Sequence, residues 1–381
     1  MNILYVCTPF DYHDRKWMFY FSDKPGYKLF ATWEDVFNPQ VKPYDMEQFA
    51  NAGVTTLPIL SSYSIKNPLK TYRSISLLNK LIKENNIDIV HFLFATPHAL
   101  WGAYIKVPYV ITARGSDVMI VIPALAKSKG IYGVLQRYLF GVFKRSFNNA
   151  FAITATSRKQ IEAIHNVLKP AAPVHLIRTG VDVNTIAAID TDAELPKELN
   201  GRDIIISPRF MSPVYNVETQ IAAIKLLPAW VLEKYKFVFI KGREPYFSAR
   251  LAELKQIPGL DFIVYDRLTQ LQMFTIYRYA KLTFMVPHSD GTPNTALEAM
   301  SARCPLILPN LDKYDAEIFN GACYMLKNNT AEELAEAILS CLEIYPNKLL
   351  DEGFARANTY GNRAVEMEKL YAVYEELKSK S

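Results

Sequence analysis

Two carboxylates stand eight positions apart, Asp290 and Glu298, in the stretch MVPHSDGTPNTALEAMSARCPLILP of residues 285–309. The apolar residues 282–286 read as the end of a buried parallel strand. Gly291 permits a sharp turn, Pro293 suits the first turn of a helix, and residues 294–303 read as that helix. Such a strand, loop and helix turns free backbone N–H groups and the positive end of a helix dipole toward the space above the strand ends, which suits a phosphate. Gly291, Thr292, Pro293, Asn294 and Thr295 would supply that backbone. A carboxylate near a helix start can also bridge the vicinal hydroxyls of a ribose or a hexose. The plainer alternative makes Asp290 a helix cap and Glu298 a solvated helix residue.

The words around the pair carry a resemblance. Asp290, seven residues, Glu298-Ala299-Met300, then Pro305-Leu306-Ile307 resembles the signature of the GT-B glycosyltransferases of family four, a retaining, nucleotide-sugar-dependent group. Asp290 stands where that family more often has Glu, and Arg303 where it usually has Gly. The resemblance implies that Glu298 binds the ribose and Asp290 the sugar hydroxyls. Arg209, in IIISPRFMSPVYN, would grip the diphosphate with a forked pair of hydrogen bonds and offset the charge on the leaving nucleotide. Family members usually add a Lys five or six residues later, but Val214, Tyr215 and Asn216 stand here. Lys241 and Arg243, flanking Gly242 in FVFIKGREP, are the cations that would compensate, and the Tyr215 hydroxyl is a neutral substitute. No divalent metal or other cofactor is implied, because no D-x-D motif follows a strand.

A second group lies in the first half of the chain. The run TARGSD, residues 112–117, stands where related enzymes often read T-x-H-G-x-D. Arg114 in place of His cannot act as a base near neutral pH. It can bind an anionic acceptor or stabilise a charged sugar intermediate, with Asp117 orienting either the acceptor or Arg114. In a retaining enzyme of this kind the donor phosphate itself is often assigned as the base. His91 reads as a core residue within a strand, whereas His98 follows the strand and is an acceptor-side candidate. The loop after the first strand lacks the glycines the family often has there. Its Asp14, Arg15 and Trp17 would stack on an acceptor sugar and hold its hydroxyls, unless they simply pack beneath the loop.

These residues need rigid elements behind them, and 381 residues suffice for two domains of roughly 180 residues each. Short apolar runs alternate with helical patterns, as parallel strands with crossover helices require. Strands are expected at residues 1–7, 87–94, 108–112, 150–155 and 175–178, then at 203–207, 237–240, 262–265, 282–286 and 306–308. Helices fit at 75–84 and 130–147. The turn RTGVD of residues 178–182 resembles the family's N-G-V-D and marks the end of the first domain, and a polar linker covers 190–203. The fold class is therefore α/β with two Rossmann-like domains, and the resemblance implies that they face a cleft that would hold the ligand. The expected bounds are 1–183 for the acceptor domain, 184–357 for the donor domain, and 358–381 for a helix crossing back. That helix carries an apolar stripe at Val365, Met367, Leu370, Val373, Tyr374 and Leu377.

Charge divides along the chain. Residues 1–180 hold 21 Lys and Arg against 11 Asp and Glu, a net +10, and the remainder carries −5. The basic, aromatic-rich first half suits an anionic membrane surface or a phosphate-bearing lipid acceptor. Residues 118–147 mix large apolar groups with Lys127, Lys129, Arg137, Lys144 and Arg145, as an interfacial helix does. No apolar run reaches the roughly 18 residues of a membrane span, and no secretory leader opens the sequence, so a cytoplasmic protein peripheral to the inner membrane face is expected. Cys7, Cys304, Cys323 and Cys341 lack metal or disulfide spacing and read as buried apolar residues. The partners implied are a nucleotide-sugar donor and a glycan or lipid-linked acceptor in cell-surface polysaccharide or lipopolysaccharide synthesis, with UDP favoured by family frequency and no nucleic acid. Two rivals stay open. One is another GT-B enzyme, either an inverting transferase or a sugar-nucleotide epimerase. The other is a non-catalytic subunit, raised by Arg114 and Tyr215 and opposed by retention of both carboxylates.

Overall fold

The computed structural model describes residues 1–189 and 195–380, so residues 190–194 of the expected linker lie outside it. The chain forms two compact units, Met1–Thr179 together with Met367–Ser381, and Gly180–Glu366. The first break falls at Gly180 because Val181 donates its N–H to Gly361 O and accepts from Arg363 N–H. Those two bonds tie both crossing strands of chain to the second unit.

The first unit is built on a parallel sheet of seven strands: β1 (Asn2–Val6), β2 (Lys28–Thr32), β3 (Val54–Thr56), β4 (Ile89–Phe92), β5 (Tyr109–Ala113), β6 (Ala152–Ala155) and β7 (Val174–Leu176), in the order β3-β2-β1-β4-β5-β6-β7. Helices cover both faces, so both residues of each alternating pair are apolar. In β1, Leu4 and Val6 join the core on one face while Ile3 and Tyr5 join the core on the other. Residues 367–380 of the last helix close that second face. Met367, Leu370, Val373, Tyr374 and Leu377 are buried there, but Val365 is exposed and falls outside the expected stripe. Tyr20 and Lys24 both donate to Glu368, and Tyr27 donates to Glu375, which fixes the helix by its polar flank.

The second unit holds a parallel sheet of six strands: β8 (Asp203–Phe210), β9 (Tyr235–Ile240), β10 (Phe262–Tyr265), β11 (Ala280–Phe284), β12 (Leu306–Pro309) and β13 (Tyr324–Leu326), in the order β10-β9-β8-β11-β12-β13. Along β8, Ile204 and Ile206 pack on one face and Ile205 on the other. Side-chain caps from Asp182, Thr269 and Thr330 start helices of this unit. All four cysteines are buried and free. Among the described residues no helix is long and apolar enough to cross a membrane. Each sheet reverses its strand order once, between β1 and β4 and between β8 and β11. Those reversals are the places where such sheets open a crevice beyond their carboxyl ends.

Candidate functional site

In the second unit the loops leaving β8 and β11 lie side by side at the reversal, joined by His288 N–H donating to Val214 O at 3.0 Å. Arg209, near the end of β8, reaches across to three partners. It donates to the Tyr215 hydroxyl at 2.5 Å and to Thr295 Oγ1 at 3.2 Å, and its Nη2 lies 3.1 Å from Asp290 Oδ2. The Tyr215 ring stacks under the guanidinium, 4.1 Å away. Tyr215 is itself placed by Gln220, which donates to its carbonyl and accepts from Ser207. Asn216 then takes a left-handed backbone and opens the next helix.

Asp290 does not cap the helix that follows. Its Oδ1 accepts from Gly291 N–H at 2.9 Å, closing the loop on itself. Pro293 precedes the helix Asn294–Ser301 and no side chain caps that terminus. Thr292 donates to Asp315 and Thr295 to Met285 Sδ. Glu298 sits half-buried one turn into the helix. Two tyrosines with no sequence signal complete the site. The Tyr277 hydroxyl is buried without a hydrogen-bond partner among the described residues, and burial, then the Glu298 charge, push its pKa well up. The Tyr314 hydroxyl is equally unpartnered, raised by burial and then by the Asp290 charge. A buried hydroxyl left unpaired costs about 1–3 kcal/mol, so both are held beside the carboxylates at a cost.

The expected compensating cations make contacts of their own or face solvent. Lys241 is tied to Asp266 at 2.8 Å on the surface and lies over the Phe247 ring, and Arg243 is exposed. Gly242 is there for space, since a Cβ would fall 1.6 Å from Met211 O. Arg303 takes φ 55° at the end of the helix, the left-handed position that a Gly fills without strain, and stacks instead on Phe354.

In the first unit the loops after β1 and β4 meet at the other reversal, and here several expectations need correcting. Residues 12–19 are a helix, Tyr12–Phe19, started by Asp11 accepting from His13 N–H. Its inner face carries Asp14, Arg15 and Trp17, all buried, so none of the three is offered to an acceptor sugar. Arg15 is locked to Asp45 at 2.7 Å with both side chains 8% exposed. Trp17 is 0% exposed and packs edge-on against His91. Asp14 accepts from Thr8 N–H and pairs with Arg114 at 2.5 Å, a contact that Asp11 supplements at 3.6 Å. Burial lifts the Asp14 carboxyl to about 6 against the opposing pull of Arg114. Arg114 is therefore already neutralised.

His98 is likewise buried rather than open. Its Nδ1 lies 2.7 Å from Glu34 Oε2, and Trp101 donates to the other oxygen of Glu34. Burial lowers the His98 pKa, Glu34 raises it, and the second prevails. Asp117 is a backbone clamp: it accepts N–H bonds from Ala95, Arg114, Gly115 and Val118, which oppose the upward push of its burial. It thereby sets the backbone of Arg114. His91 is the core residue expected, bonded to Tyr374 and Thr112.

Known proteins match this arrangement. Residues 35–185 match the model of Glycosyltransferase Family 4 and residues 190–353 that of Glycosyl transferases group 1. TuaC of Bacillus subtilis (strain 168), assigned to teichuronic acid biosynthesis as a glycosyltransferase, is 22% identical over 277 residues. The match covers 70% of this chain and 64% of TuaC's length. A glycosyltransferase crystal structure from Rickettsia africae ESF-5 superposes with TM-score 0.74 at 16% identity, covering 100% of this chain and 99% of that one. HepE of Anabaena in complex with UDP gives 0.73 at 11% identity over 98% and 99%. With two successive family models spanning most of the sequence and two parallel sheets of this order behind them, the chain belongs to the GT-B glycosyltransferases of the family-four type.

Proposed function

We propose that the protein transfers one sugar from a nucleotide-diphosphate sugar, with UDP as the nucleotide, to a glycan or lipid-linked acceptor in cell-surface polysaccharide or lipopolysaccharide synthesis, with retention at the anomeric carbon. The observation that carries this reading is the meeting of Arg209 and Asp290 at the strand-order reversal of the second unit, beside a helix terminus that no side chain caps. Arg209 is preorganised by Tyr215 and Thr295, so it can take two diphosphate oxygens without being ordered at that moment. A diphosphate there displaces Asp290, which is then free to accept hydrogen bonds from the sugar. Glu298 holds the ribose hydroxyls. The departing phosphate is met by Arg209 and the helix terminus, no divalent metal is invoked, and the same phosphate serves as the base because Arg114 cannot accept a proton.

The basic first half supports an extension of this reading, in which the protein works at an anionic membrane surface. Ile120, Val121, Val134, Leu135 and Tyr138 are exposed on the segment that also exposes Lys127, Lys129 and Arg137. Sedimentation with vesicles of anionic and of neutral lipid tests that part, and equal binding to both would remove it.

Thermal stabilisation of the purified protein by UDP-, GDP-, dTDP- and CMP-sugars tests the donor, with stabilisation by a UDP-sugar expected to persist in EDTA. The anomeric configuration of the product, read by NMR, tests retention. No binding of any nucleotide sugar by calorimetry, in the native protein as in Glu298→Ala, would favour a non-catalytic subunit.

A further inference from the structure

The loops that leave β11 and β12 are clasped together next to Arg209. Lys313 donates to Ser289 Oγ at 2.9 Å, and Thr292 donates to Asp315 Oδ2 at 3.1 Å. Residues 289–292 of one loop thus lie against 313–315 of the other, and Tyr314 stands between the two bonds, opposite Asp290 and Gly291. The second loop is held firmly. Asn310 donates its N–H to Leu326 O at 2.9 Å, Tyr314 donates its N–H to Leu311 O at 3.0 Å, and the Tyr314 ring packs on Phe319 at 5.1 Å between centroids.

This placement buries a hydroxyl and gives it nothing to bond. The Tyr314 side chain belongs to a residue only 8% exposed, and its hydroxyl has no hydrogen-bond partner among the described residues. After burial, the charge that acts most on that hydroxyl is Asp290, ahead of Arg209. Phe would fill the same space without an unpaired donor, so the hydroxyl opposes folding in this arrangement and its use belongs to another state of the site.

Asp290 has such a state. Its Oδ1 accepts from Gly291 N–H, and its Oδ2 has Arg209 for a partner at 3.1 Å. A diphosphate on the guanidinium takes that partner from Oδ2 and sets a second negative charge beside the carboxylate. We propose that Tyr314 is a positioning residue of the donor site, which receives the Asp290 carboxylate when a diphosphate takes Arg209 and holds it toward the sugar. One O–H···O⁻ bond then satisfies two groups that would otherwise be unpaired, and a bond to a charged acceptor is stronger than one between neutral groups. The phenol is neutral, so it brings no cation that would draw the diphosphate away from Arg209. The inference rests on the donor reading of Arg209 and Asp290 given above.

Tyr314→Phe, Asp290→Asn and the double variant, titrated with UDP by calorimetry and unfolded in urea, test it. With the hydroxyl gone the displaced carboxylate has no donor, and Tyr314→Phe should bind UDP about five- to tenfold more weakly than the native chain. Asn at 290 carries no charge to be received, so adding Tyr314→Phe to Asp290→Asn should change UDP affinity by no more than about twofold. In urea without UDP, Tyr314→Phe should be at least as stable as the native chain, because the hydroxyl it loses is unpaired. That result also shows the variant to be folded. Unchanged UDP affinity in Tyr314→Phe, or an equal loss on the Asp290→Asn background, would overturn the proposal. A loss of stability in urea would overturn it too, by making the hydroxyl a structural bond. If the native chain binds neither UDP nor a nucleotide sugar, the donor reading falls and the proposal with it; if the native chain and Tyr314→Phe bind UDP equally, the proposal falls alone.

Discussion

Replacing Asp290 by Asn separates two effects that the site combines. Asp290 Oδ2 lies 3.1 Å from Arg209, and each side chain keeps 18% of its surface exposed. A diphosphate must compete with that carboxylate for the guanidinium. An ion pair in partial contact with water is worth about 1 kcal/mol net, the upper end of the range for exposed pairs. Asn keeps the size, and its amide oxygen can still accept from Gly291 N–H, so the loop is retained. With the competing charge gone, UDP alone should bind roughly fivefold tighter, since about 1.4 kcal/mol corresponds to a factor of ten.

Turnover should move the other way. A carboxylate accepting from a sugar hydroxyl contributes about 1.5–3 kcal/mol, so kcat/KM for the UDP-sugar should fall by roughly 10–150-fold. Arg209→Ala is the control and should weaken UDP by a similar factor. Calorimetry with UDP and initial rates on both variants measure the two effects. If Asp290→Asn weakens UDP as much as Arg209→Ala does, Asp290 is not a competitor for the guanidinium and the hand-over is wrong.

Three further substitutions test other parts of the structure. Trp17→Ala opens a cavity under the first sheet and should cost about 3–5 kcal/mol in urea denaturation, where an acceptor-side Trp17 would cost little and lower activity instead. Gly242→Ala forces its new Cβ against Met211 O and should lower the unfolding free energy read from urea denaturation by about 1–3 kcal/mol or more. His91 is held neutral by burial, with its pKa lowered to about 3. Its contribution is therefore intact above the ordinary histidine value near 6.5 and lost as pH falls toward 3, at about 1.4 kcal/mol per pH unit at most. His91→Gln should flatten that slope between pH 6 and 4, and equal slopes in variant and native protein would remove His91 as its cause.

How far these features are legible in the sequence depends on how local they are. β8, β9, β10 and β12 announce themselves as continuous apolar runs between polar turns. β2, β3 and β13 do not, because three to five residues with Lys28, Thr55 and Thr56 exposed are too short to carry a period. Asp290 and Glu298 are readable because one strand, loop and helix contains both. Arg209 reads because it ends a strand. Tyr277 and Tyr314 arrive from elements far along the chain, and only the folded sheet brings them beside Glu298 and Asp290. The segment of residues 12–19 misleads for another reason. Read as a loop, all its polar side chains are available; wound as a helix, one face of it is core. Asp11 before that run is the capping signal that marks the difference.

The substitution of Arg114 for the family's His belongs to the same correction. Asp14 is buried and its pair with Arg114 leaves the two side chains 1% and 10% exposed. A carboxylate so placed needs a fixed cation, and a histidine neutral at pH 7 does not provide one. Restoring the family residue with Arg114→His should therefore destabilise the protein by about 3–5 kcal/mol near pH 7.5, the cost of breaking a buried pair from one side. Asp14 has its pKa raised to about 6 in the native protein, above the ordinary value. Its ionised form thus opposes folding, and protonation as pH falls below 6 relieves the opposition. The penalty of Arg114→His should shrink in the same direction, toward pH 5. Asp14→Asn removes the charge outright, so the double variant should recover most of the stability that Arg114→His alone loses. Strictly additive losses in that double-mutant cycle would mean that Arg114 does not serve Asp14, and would return it to the acceptor.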